Sequence, residues 1–147
     1  MQQFGNAGLL DVFERIVVKY QHINRYLLVT SVIPELMMCI ENTPFILKDN
    51  TFDGELLIVQ KDKGYAITNN YNVLTIGDEY VMGSGSYVAF GSLYTTRYMD
   101  MDTERRIELA ILAAGAKCVS VSSEVYIGNS NGKGFSRYIP TMKIEKN

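Results

Sequence analysis

The sequence predicts an α+β domain in which an antiparallel sheet is layered with packed helices. Three observations carry that expectation. Two stretches of helical periodicity come first, at 7–21 and 25–42. The period then shortens to that of strands between residues 54 and 83. Two further helical stretches follow before the chain returns to β-type composition.

The first helix is read from "AGLLDVFERIVVKYQ", which sets Leu9, Leu10, Phe13, Ile16, Val17 and Tyr20 three and four residues apart. Asn24 is placed to cap a second helix over "RYLLVTSVIPELMMCIEN", since its side chain can accept from a first-turn amide. Pro34 predicts a kink there, because proline removes one helical donor and crowds the preceding turn. The segments "ELLIVQ", "GYAITN", "NVLTIG" and "EYVMG" then read as a four-strand meander. Asp62-Lys63-Gly64 and Asn69-Asn70 are its expected turn residues. After a "GSG" turn the third helix is expected from about Ser86 to Tyr98. Asp102 should cap the fourth, with Glu104 in the first turn where the helix dipole favours negative charge. "EVYIG", "NSNGKG" and "SRYIPTMKI" complete the chain as strand, turn and strand. The expected organisation is one domain over 1–147, with a helical part (1–52), a core (53–128) and a terminal turn and strand (129–147).

Composition narrows the function classes. The 147 residues are 47% hydrophobic and 20% charged, near the globular average, with a formal net charge of −2. Positive charge is not gathered into a stripe, so no nucleic-acid partner is expected, and no apolar run is long enough to span a bilayer. The start "MQQFGNAGLL" lacks the form of a signal peptide, and the expected location is the cytoplasm. Cys39 and Cys118 read as free buried thiols, with a disulfide between them left open. With one histidine, His22, neither a metal site nor a Ser-His-Asp triad has enough members, and no cofactor is expected. Seven methionines read as adaptable core filler. The ten tyrosines read as packing residues or, alternatively, as anchors of a subunit or partner surface.

The stretch "AITNNYNVLTIGDEYVMGSGSYVAFGSLYTTRYMDMDTERRIELAILAAGAKC" resembles the C-terminal half of proteasome subunits, and of small bacterial and bacteriophage proteins related to the HslV-type protease. "FGNAG" and "VIPELMMCIEN" are fainter matches. The resemblance implies an N-terminal nucleophile hydrolase fold. In such a fold a Thr, Ser or Cys at the mature N-terminus attacks, and its own α-amine serves as base. It implies that Gly83, Ser84 and Gly85 form the active-site turn, and that Ser120, Ser122 and Ser123 lie near secondary polar groups. Glu124 is a candidate substitute for the family's acid, with no base apparent beside it.

The chain departs from that pattern at its start. "MQQFG" carries no nucleophile, and the segment before the first helix looks too short for the family's two opening strands. The expectation is therefore a truncated proteasome-like fold without peptidase activity. It would act through self-assembly as a homo-oligomer or by binding another protein, including a phage-type inhibition of a host complex. The alternative is a split or N-terminally truncated threonine peptidase. For "GSG" itself the plainer reading is a turn that needs glycine for backbone freedom; an anion-binding loop lacks the Walker lysine.

Overall fold

A computed structural model describes residues 2–5, 7–121, 125–128 and 135–138. The chain forms two compact units, Met1–Glu79 and Tyr80–Asn147.

In the first unit the strand order is β1-β2-β3-β4, every pairing antiparallel. The strands are β1 (Gln2–Gly5), β2 (Gly54–Gln60), β3 (Lys63–Ile67) and β4 (Val73–Thr75). Strand β1 was not expected from the sequence. It pairs Gln2 with Leu57 and Gly5 with Gly54, so the outer edge of β2 is occupied by the chain's own first residues. The segment at 79–83, read as a fourth meander strand, is not a strand.

Helix α1 spans Ala7–Val17 and α2 spans Arg25–Leu27; a π-helical turn at Leu28–Val32 then leads into α3 (Ile33–Ile40). Asn24 caps α2 as expected, accepting from the Leu27 amide at 2.8 Å. The kink expected from Pro34 takes the form of the wide turn. The Ile33 amide donates to the Leu28 carbonyl, five residues back, so the helix opens just before the proline ring.

The core follows from the two periodicities. Leu9, Phe13 and Ile16 of α1, and Leu28, Val32, Leu36 and Ile40 of the second helical stretch, are buried at helical spacing. Leu56 and Ile58 of β2 are buried on alternate positions, with Tyr65, Ile67 and Val73 beside them. Gln60 ties the loop after α1 to the sheet. Its Oε1 accepts from the Ile23 amide at 2.9 Å, and its Nε2 donates to the Gln21 carbonyl at 2.7 Å. An exposed ion pair joins Lys19 to Glu35, and that contact raises the Lys19 pKa.

The turn chemistry differs from the sequence reading. The left-handed residues are Lys61 in the β2–β3 hairpin and Tyr71 in the β3–β4 connection, rather than Gly64 or Asn69–Asn70. The strand register sets these positions: Gln60 pairs with Lys63, so only Lys61 and Asp62 are left to turn. Tyr71 is held by an edge-on contact with Phe52, ring centroids 5.2 Å apart, and burial raises its phenol pKa. Neither cysteine is buried: Cys39 is exposed, Cys118 is half-buried, and both are free thiols. Met37, Met38 and Met99 are also exposed rather than core filler.

The second unit contains α4 (Ser86–Thr96), α5 (Thr103–Lys117) and a two-stranded antiparallel sheet of β5 (Val125–Gly128) and β6 (Phe135–Tyr138). Asp102 caps α5 by accepting from the Arg105 amide at 2.8 Å, as the sequence predicts. Arg106 of α5 reaches the end of α4, donating through Nη2 to the Leu93 carbonyl at 2.8 Å and through Nε to Thr96 Oγ1 at 3.1 Å. It thereby adds a second donor to a carbonyl that already accepts from the Arg97 amide, and places a cation at the negative end of the α4 dipole.

Two predictions follow from this packing. Phe13→Ala should lower the unfolding free energy by about 3–5 kcal/mol in a denaturant titration, because Phe13 is fully buried. Asp49 accepts hydrogen bonds from the Thr51 hydroxyl (2.6 Å) and then the Thr51 amide (3.2 Å), which hold its pKa below the ordinary carboxylate value. Its contribution to stability is therefore present above the unfolded-state pKa and lost as pH falls through the folded one. Thr51→Val should move the Asp49 midpoint upward in an NMR titration.

Candidate functional site at the GSG turn

The second unit opens on the turn that the sequence singles out. Gly83 has φ 106°, a left-handed conformation that costs other L-residues about 1–2 kcal/mol. Its carbonyl accepts from the Ser86 amide at 3.2 Å and starts α4. Gly85 is required for a different reason. Its φ of −93° is open to any residue, but a Cβ there would stand 2.9 Å from the Ala114 Cβ and 2.9 Å from Val121 Cγ2. The turn thus lies directly against the small-residue stretch of α5, where Ala114 and Gly115 are buried. Both glycines have a structural task that involves no substrate.

Ser84, between them, is exposed, and its Oγ lies 2.8 Å from Ser120 Oγ. Of the serines read from the sequence as secondary polar groups, Ser120 is therefore brought to the turn. Ser122, Ser123 and Glu124 lie outside the described residues. A hydroxyl partner can orient Ser84 but cannot take its proton near neutral pH. His22 is exposed in the loop after α1, not on that helix. Among the described residues no group of three or more His, Cys, Asp or Glu side chains could hold a metal ion, and no helix is long and apolar enough to cross a membrane.

One buried charge escaped the sequence reading. Glu108 of α5 is fully buried and pairs with Arg105, Nη1 to Oε2 at 2.8 Å. Its position among "RIELAIL" gave a hint, since it falls between apolar neighbours. A buried carboxylate is tolerable only when paired, so Arg105 is the partner that permits it.

The surface of α4 is the other feature of this unit. Tyr87, Phe90, Tyr94 and Tyr98 are all exposed, and the 11-residue helix contains no charged side chain. Tyr94 and Tyr98 meet edge to face with centroids 6.0 Å apart, and the Arg97 guanidinium lies 5.4 Å from the centre of the Tyr94 ring.

No protein-family model matches the chain, and no curated protein matches it. Solved structures do. BPH of Thiobacillus denitrificans superposes with a TM-score of 0.62 at 17% identity, over 99% of this chain and 75% of that one. The same protein in complex with epoxomicin gives 0.61 at 18% identity, over 97% and 74%. HslV of Trypanosoma brucei gives 0.60 at 18% identity, over 82% and 69%. The chain has the HslV/proteasome-like fold. At this level of identity the likeness establishes architecture, and it bears out the α+β reading. The GSG turn of this HslV-like chain has its own local explanation in the contact with α5.

Gly85→Ala should therefore destabilise the protein by about 1–3 kcal/mol through overpacking, measurable as a lowered denaturation midpoint. Ser84→Ala, at an exposed site, should change it by less than about 0.5 kcal/mol.

Proposed function

We propose that this chain is a proteasome-like scaffold that works in the cytoplasm by binding protein, through self-assembly or onto another protein, and that it does not cleave peptides. The observation that carries the reading is the concentration of exposed aromatic side chains on a charge-free helix, α4. Monomeric proteins rarely expose contiguous apolar surface of that kind, and tyrosine is enriched where proteins dock. Blocking of a host complex by a phage-type protein is one form such binding would take.

The chemistry supports the same reading. The partner of Ser84 is another serine. The second reading, a split or truncated threonine peptidase, is favoured by the retained shape of the GSG turn. That shape loses force as an argument because Gly83 and Gly85 answer to backbone conformation and close packing.

Incubation with a peptide epoxyketone followed by intact-mass spectrometry separates the two. The expected spectrum shows the unmodified chain only. A covalent adduct at stoichiometric yield would overturn the non-catalytic reading.

A further inference from the structure

We infer that the groove between the end of α1 and the end of β2 binds a small primary amine carried on an apolar body, with Glu14 holding the ammonium. The site belongs to the first unit and does not depend on the protein-binding reading above.

The groove forms because α1 stops at Val17 and the chain then crosses to the sheet as a loop. Strand β1 runs beside β2 from Gly54 to Leu57, and the groove lies against the next residues, Ile58, Val59 and Gln60. Its volume is about 340 Å³, at the small end of the roughly 300–1,000 Å³ typical of ligand pockets. A single helical turn, about 10 Å across and 5.4 Å long, already takes up more than that. At the roughly 30 Å³ that a water occupies in the liquid, the space suits a body of about ten non-hydrogen atoms.

The lining is apolar except at one point. Val17, Ile23 and Ile58 are buried and make the floor, while Val18 and Val59 are exposed at its sides. The shape is set before anything binds. Gln60 ties the loop to β2 through its contacts with the Ile23 amide and the Gln21 carbonyl, so a ligand does not have to order that loop.

Glu14 is the exception, and it supplies the recognition. It precedes Val17 and Val18 by three and four residues, on the same face of α1, and it is the charged residue of the lining. Glu35 and Glu108 are each paired with a base, to Lys19 and Arg105. The Glu14 carboxylate has no such partner among the described residues. Lys19 nearby is already engaged by Glu35 and does not compete for it. A primary ammonium brings three donors to that carboxylate, and Tyr20, which also lines the groove, offers an aromatic ring of the kind that attracts a cation. The apolar floor selects against a bare metal ion, and the carboxylate against an anion.

The test is an NMR titration of the isotope-labelled full chain with phenethylamine at millimolar concentration. The amides of Val17, Val18, Ile23, Ile58 and Val59 should shift while those of α4 and α5 hold. Phenethyl alcohol, the same body without the charge, should bind about threefold more weakly, and phenylpropionate should not bind. Glu14→Gln should bring the amine down to the affinity of the alcohol and leave the melting temperature unchanged, since the carboxylate has no partner to lose. Absence of shifts at the groove amides overturns the site. Equal binding of amine and alcohol, or amine binding that Glu14→Gln leaves intact, overturns the recognition by Glu14. Tighter binding of an acetylated lysine-leucine peptide than of phenethylamine overturns the small-ligand reading and assigns the groove to a side chain of another protein.

Discussion

The contact on which the second unit depends is the approach of the GSG turn to helix α5, so close that Gly85 has no room for a Cβ. From that contact the rest of the unit is fixed in order. Gly83 turns the chain through a left-handed conformation, α4 starts at Ser86, and the opposite end of α4 is held by Arg106 through the Leu93 carbonyl and the Thr96 hydroxyl. α4 is thus gripped at both ends by its own neighbour while its outer face stays open. A helix held in this way keeps its aromatic side chains in a defined array, which lowers the entropy lost when something binds them.

This arrangement separates a turn's shape from its chemistry. A Gly-Ser-Gly turn in a hydrolase-like fold invites a catalytic interpretation, yet each glycine here is accounted for by conformation or packing. The serine between them is exposed and bonded to another hydroxyl. The HslV/proteasome-like architecture is established by superposition over nearly the whole chain, and an architecture does not by itself carry a function.

Much of the architecture was legible in the sequence, where local rules and tertiary packing agree. The α1 stripe, the Asn24 and Asp102 caps and three strands of the meander all belong to that class. Strand β1 was not legible, because four residues rich in glutamine and glycine carry no period-two signal; β2 recruits them through its backbone. Residues 79–83 show the converse, a strand-like composition that does not form a strand. Lys61 and Tyr71 took the left-handed positions because register overrode residue preference. At the candidate site the GSG turn and Ser120 were found from sequence. The burial of Glu108 was not, since a single glutamate in a helix reads as solvated until its partner Arg105 and its neighbours are placed.

Hydrogen exchange of the intact chain across a range of protein concentrations tests the central claim most directly, because it reports on α4 alone within an otherwise unaltered molecule. Protection of the amides over residues 86–98 should rise with concentration while the amides of β2 and β3 hold constant. Exchange over α4 that is indifferent to concentration up to the hundred-micromolar range would contradict self-assembly through this face.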